Sequence, residues 1–60
     1  MTDEPEEVQV KGHKVFVFER GGFIVLEAVN DDRPLVRMTF ELSSEEADEI
    51  ATMLRRLADA

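Results

Sequence analysis

The chain has 60 residues and no cysteine, and its fourteen acidic against seven basic residues give a formal net charge of −7. This length provides one small domain, and such a charge opposes contact with phosphate backbones or anionic lipids, which requires clustered lysine and arginine. The absence of cysteine excludes disulfides, thiolate metal sites and a thiol nucleophile.

The N-terminal residues MTDEPEE are acidic, whereas a secretory signal begins with basic residues followed by an apolar run. No apolar run approaches the roughly 20 residues of a membrane-spanning helix. We therefore expect a cytoplasmic protein without a membrane partner. Residues 1–7 contain four acids and one proline, a composition that predicts a mobile acidic tail before a single small domain over residues 8–60.

Residues 8–42 alternate between short β-favouring runs and clusters of Gly, Asn, Asp and Pro, which is typical of β-hairpins. The runs predict four strands, at about 8–11, 14–19, 23–29 and 35–42. Because short turns separate them, the sequence predicts a four-stranded antiparallel meander.

The loop at Arg20-Gly21-Gly22 decides which residues share a face of this sheet. A three-residue loop places Glu19 opposite Phe23. The apolar face that a helix should cover then contains Phe16, Phe18, Ile24, Leu26, Ala28, Val36, Met38 and Phe40. A two-residue loop at Gly21-Gly22 is the alternative, and it moves Phe16 and Phe18 to the opposite face.

The next loop, over residues 30–34, places Glu27 opposite Arg37, an opposite-charge pair that favours this register. The second face of the sheet then mixes apolar with polar side chains: Val15, Val17, Phe23, Val25, Val29 and Leu35 with Glu19, Glu27, Arg37, Thr39 and Glu41. A tight turn at Gly12-His13 adds Val8 and Val10 to this second face.

The C-terminal segment predicts an amphipathic helix over Ser44–Ala58. Ser43 is its expected N-cap, and Glu46, three residues later, completes a capping box. Acids in the first turn and Arg55 and Arg56 near the end match the helix dipole. Apolar residues recur at helical spacing: Ala47, Ile50, Ala51, Leu54, Leu57 and Ala58. The fold class is therefore α+β, in the order ββββα, with the helix on one sheet face.

The predicted dimensions indicate that the helix of one chain is too narrow to cover its four-stranded sheet. Four strands about 4.8 Å apart form a sheet about 19 Å wide, whereas one helix with its side chains is about 10 Å across. Domains below roughly 70–80 residues usually need a disulfide, a metal or association for stability. We therefore expect a homodimer.

Few residue patterns in the sequence indicate catalysis or metal binding. His13, the single histidine, lacks further ligands for a metal and lies in a predicted turn. The run Asn30-Asp31-Asp32 lacks the spacing of a calcium loop. Ser43 and Ser44 have the context of a helix cap, not of a nucleophile. We therefore expect no enzyme, no metal and no cofactor.

Spare apolar area beside dense acid predicts a non-catalytic protein-binding module, such as an adaptor, inhibitor or regulatory subunit. Its expected partner is another protein, and a basic protein is one candidate. The candidate interaction surface is either the partly apolar sheet face around Phe23, Val25, Arg37 and Thr39 or the outer helix face at Glu45, Asp48, Glu49 and Arg56. One alternative is a nucleic-acid-related protein, which either binds single strands directly or mimics a phosphate backbone with its carboxylates. The other is a small protein without an assignable role.

The predicted architecture is a dimer of chains with four antiparallel strands followed by one helix. It is similar to the single-stranded-DNA-binding domain of a transcriptional coactivator. The resemblance spans Val8 to Ala58 in element order, with the strand-to-capped-helix phrase Phe40-Glu41-Leu42-Ser43-Ser44-Glu45-Glu46. It implies a basic, aromatic sheet surface, where this chain has Glu19, Glu27 and Glu41.

Overall fold

The computed structural model describes residues 6–60 and contains one four-stranded sheet and one helix. The elements are β1 (Glu6–Val10), β2 (His13–Arg20), β3 (Phe23–Asn30), β4 (Arg37–Leu42) and α1 (Ser44–Ala58). The sheet is antiparallel, in the order β1-β2-β3-β4, and α1 packs on it through β3 and β4. The predicted α+β fold with its ββββα order is confirmed.

Strand β1 includes two residues that the sequence assigns to the tail. Glu6 pairs with Val17 and Glu7 with Phe16, while the rest of the predicted tail, residues 1–5, lies outside the described residues. Within residues 6–60, no helix combines the length and the apolar character needed to cross a membrane.

The β2–β3 hairpin has the two-residue loop Gly21-Gly22, with Arg20 opposite Phe23. The three-residue loop, with Glu19 opposite Phe23, is therefore wrong, and the alternative loop is confirmed. Both glycines have positive φ, 59° and 85°, close to the two central positions of a type I′ turn, whose twist matches that of the flanking strands. This choice of turn determines the facing of every residue in β2.

The β3–β4 connection is longer than predicted, so β4 begins at Arg37 and not at Leu35. The Asn30 side-chain oxygen accepts hydrogen bonds from the backbone of Asp32 and Arg33, both at 2.9 Å, and this local turn delays entry into the strand. Thr39, not Arg37, lies opposite Glu27. The register differs from the predicted one by two residues, so every β4 side chain keeps its predicted facing.

The strand registers define two faces of the sheet, since side chains of paired residues point to the same side. We call the face that carries α1 the helix-side face. Its apolar residues are Val8, Val10, Val15, Val17, Ile24, Leu26, Ala28, Met38, Phe40 and Leu42. The opposite, helix-free face carries Phe16, Phe18, Phe23, Val25 and Val29 with Lys14, Arg20, Glu27, Arg37, Thr39 and Glu41.

The side chains of β2 therefore lie on the faces opposite to those predicted with the three-residue loop. Phe16 and Phe18 lie on the helix-free face, and Val15 and Val17 lie on the helix-side face. The registers place Val8 and Val10 with Val15 and Val17, as expected, although their turn is Lys11-Gly12.

Helix α1 begins with the predicted capping box. The Ser43 backbone N–H donates to Glu46 Oε1 at 2.8 Å, and the Glu46 N–H donates to Ser43 Oγ at 3.1 Å. The hydrogen bond that the Ser43 backbone N–H donates to the carboxylate, followed by the interaction of the Ser43 side chain with it, holds the pKa of Glu46 below its ordinary value, because both favour the charged carboxylate. The contribution of this cap to helix stability therefore depends on pH.

Acid should weaken the cap of the wild-type helix, and replacing Glu46 by glutamine should abolish this acid-induced weakening. Because the folded pKa is lowered, the stabilisation is complete above the ordinary glutamate value of 4.5 and is lost as the pH falls through the folded value. Helical circular dichroism followed from neutral to acid pH checks this. Glu46→Gln, which keeps an oxygen acceptor, should lose less helix in acid than Glu45→Gln, which removes a neighbouring carboxylate outside the box. Superimposable acid curves would contradict it.

The helix separates from the sheet after its first two turns. Ala47 and Ile50 are half-buried, whereas residues 51–60 are all exposed. Leu54 is 63% exposed and Leu57 75%, although both belong to the apolar stripe of α1. A cleft of about 220 Å³ lies between helix and sheet, lined by Leu26, Phe40, Leu42 and Ile50. The helix therefore covers even less of the sheet than its width allows.

Candidate functional site

The eight predicted interaction residues lie on two separate surfaces. Phe23, Val25, Arg37 and Thr39 lie on the helix-free face, whereas Glu45, Asp48, Glu49 and Arg56 lie on α1, which packs on the other side of the sheet. The two alternative contact zones are therefore separate surfaces in the structure.

Val25 occupies the centre of the helix-free face and is 0% exposed. Phe18 and Glu41 are its cross-strand partners, and Phe23 and Glu27 follow on the same face along β3. Because no described element packs on this face, neighbouring side chains of the sheet provide the cover. Val25 thus supports the surface from beneath, and a partner would meet the residues around it.

Three residues on this face form one polar cluster. Thr39 Oγ1 donates to Glu27 Oε2 at 3.0 Å, and Arg37 Nη1 lies 3.8 Å from Glu27 Oε1. Arg37 Nη2 also donates to the Pro34 carbonyl at 3.3 Å. These contacts restrain Arg37 and Thr39, two of the predicted interaction residues, through Glu27, which the sequence interpretation placed on this face but not in the site.

The helix-free face is aromatic to an extent that the predicted site missed. Phe16 and Phe18 are half-buried beside Phe23, which is 47% exposed. The Arg20 guanidinium lies over the Phe18 ring, 5.8 Å from its centroid, within the range of a cation–π contact. The signal that could have found these residues is Gly21-Gly22, since a pair of glycines favours the two-residue turn.

Charges on the helix-free face balance. Its basic side chains are those of Lys14, Arg20 and Arg37, and its acidic ones are those of Glu7, Glu27 and Glu41. The aromatic centre is therefore bordered by both signs of charge. Such a surface suits a partner with a mixed polar rim better than a uniformly charged polymer.

The outer side of α1 is a different kind of surface. Asp48, Glu49 and Arg56 line a shallow hollow of about 320 Å³ together with Thr52 and Met53. Arg55, Arg56 and Asp59 help to line a neighbouring hollow of about 360 Å³. Ligand sites are concave and bury most of the ligand surface. Both hollows lie along one exposed helix, so they enclose a small ligand too little to form such a site. Among residues 6–60, no group of three or more potential ligands is placed to hold a metal ion.

No protein-family model, curated protein or solved structure matches this chain. The resemblance to the coactivator domain therefore stays one of element order.

Proposed function

We propose that this protein is a small, acidic, non-catalytic protein-binding module that acts as a homodimer, an adaptor, inhibitor or regulatory subunit. The observation that carries the proposal is the helix-free face, where Phe16, Phe18 and Phe23 surround the buried Val25. Aromatic residues are enriched in protein interfaces, where a small number of buried anchors contribute most of the affinity.

The local charges favour a protein over a nucleic acid as the ligand of this face. Binding to a phosphate backbone depends on a surplus of basic groups, whereas Lys14, Arg20 and Arg37 are matched here by three carboxylates. The acids on the outer side of α1 would speed the approach of a basic partner by electrostatic steering. The partner that fits best has an apolar anchor within a rim of polar, predominantly basic residues.

The phenylalanines at positions 23 and 40 provide a matched test, because they lie on opposite faces with similar exposure, 47% and 51%. Phe23→Ala should reduce capture of the partner from a cytoplasmic extract about 10- to 100-fold, the loss expected for an interface anchor. Phe40→Ala should retain capture. Circular dichroism establishes that both variants are folded. Equal capture by wild type and Phe23→Ala, or absence of any partner at low salt, would contradict the proposal.

The second candidate function is single-strand binding, and the specific observation in its favour is the aromatic face. Bases stack on exposed aromatic side chains of open sheets. Fluorescence titration with a single-stranded oligonucleotide at low salt distinguishes the two. Binding that disappears in Phe23→Ala and weakens steeply with added salt would favour this second function, and the protein-binding proposal expects no such binding.

A further inference from the structure

The described chain leaves two apolar surfaces open on the same side of the molecule. One is the β1–β2 half of the helix-side face, where Val8 is 59% exposed. The other is the distal half of the α1 stripe, around Leu54 and Leu57. Polar residues of the helix-side face occur at its borders: Glu6, His13, Glu19 and Asn30. The open area between them is uncharged.

The chain exposes more area than a compact monomer of its mass. The chain exposes 5382 Å², whereas a compact monomer of 6.8 kDa exposes about 4,000 Å² by the scaling of surface with mass. Residues 1–5 can contribute at most about 800 Å² to the total, the upper limit for a chain segment of that mass, so an excess of at least about 600 Å² belongs to residues 6–60. A standard protein interface buries about 800 Å² on each partner.

We propose that a second copy of this chain covers these surfaces by reciprocal helix docking. The distal half of α1 from each copy lies on the β1–β2 half of the helix-side face of the other. This inference rests on the proposed homodimer and adds which surfaces it joins. The proximal half of the helix, through Ile50, stays on β3 and β4 of its own chain.

Shape and symmetry favour this occupant over another protein. A helix about 10 Å across fits the open half of a sheet about 19 Å wide, and each copy offers both the helix and the sheet, as a twofold interface requires. Two copies of net charge −7 repel each other. Contact through the uncharged faces keeps the acids in solvent and leaves the helix-free face available to a partner.

Leucine-to-serine variants test which surface forms the dimer. Leu57→Ser should raise the dissociation constant of the dimer about 10- to 100-fold, because a side chain buried only in the dimer is lost. Leu35→Ser is the matched control, since Leu35 is 92% exposed and lies in a loop, and it should leave the constant unchanged. Analytical ultracentrifugation measures both. Equal dissociation constants for wild type and Leu57→Ser would overturn the inference.

Cysteine pairing tests the docking mode, and the chain offers a clean background because it has no cysteine. Leu57→Cys and Val8→Cys proteins, mixed and oxidised, should give the mixed disulfide-linked dimer as the main product. Predominant pairing of either variant with itself would overturn reciprocal docking, and so would the absence of any cross-link.

Failure of this inference is distinguishable from failure of the proposed function. Phe23→Ala, which should lose the partner, should dimerise like wild type. A dimer that follows these predictions while Phe23→Ala captures the partner normally would refute only the binding site on the helix-free face.

Discussion

Replacing Val25 by aspartate should leave the chain unfolded at every concentration. Val25 is 0% exposed, so the substitution removes about 1.5–3 kcal/mol of apolar burial and adds several kcal/mol for a buried, unpaired charge. Glu41 opposite and Glu27 along the strand add like-charge repulsion. The sum meets or exceeds the roughly 3–9 kcal/mol of total stability that a chain of this length has.

The control for this substitution is Leu35→Asp, which introduces the same side chain at a position that is 92% exposed. It should change the free energy of unfolding by less than about 0.5 kcal/mol. Circular dichroism and chemical denaturation measure both variants. A Val25→Asp protein that unfolds cooperatively at the wild-type denaturant concentration would show that the helix-free face is not a packed surface.

Replacing both turn glycines by alanine should lower the stability of the β2–β3 hairpin by about 2–4 kcal/mol, because each left-handed residue with a side chain costs about 1–2 kcal/mol. Gly21 and Gly22 have φ values of 59° and 85°, and an added Cβ at either would meet no atom within 4 Å. The cost therefore comes from the backbone alone. The melting temperature should fall by more than about 10 °C.

Gly21→Asn is the matched control, because Asn-Gly is a favoured type I′ sequence. It should unfold within a few degrees of wild type. A double alanine variant that melts with wild type would contradict the two-residue turn, and with it the placement of Phe16 and Phe18 on the helix-free face.

Local signals predicted the elements well, and the helix best. The pair Ser43 and Glu46 defines a cap by hydrogen bonds within four residues, so the start of α1 needed no tertiary information. The strands could likewise be read from β-favouring runs between turn residues. Their order follows from short connections, which join neighbouring antiparallel strands.

Facing was less predictable, because strand side chains alternate with a period of two. A one-residue change in loop length at Gly21-Gly22 moved Phe16 and Phe18 to the face predicted for Val15 and Val17, and the reverse. The two-residue shift in the register of β4 left every β4 side chain on its predicted face. Both loop choices gave an apolar helix-side face, so hydrophobic sorting alone could not decide between them.

The departure of α1 from the sheet was beyond sequence interpretation for another reason. Helical spacing shows which residues form the stripe, but not the angle at which the helix crosses the strands. Leu54 and Leu57 have the pattern of core residues and lie exposed in the isolated chain. The candidate site was incomplete for the same kind of reason, since Phe16, Phe18 and Glu27 join it only through strand pairing.

Sedimentation equilibrium of the wild-type chain, followed over a range of micromolar concentrations, tests the central claim most directly. We predict a particle of twice 6.8 kDa, with dissociation on dilution accompanied by loss of stability. Added salt should strengthen association, because it screens the repulsion between two acidic copies. A stable, folded particle of 6.8 kDa across the whole range would show that the exposed stripe and sheet face need no cover, and would contradict the account.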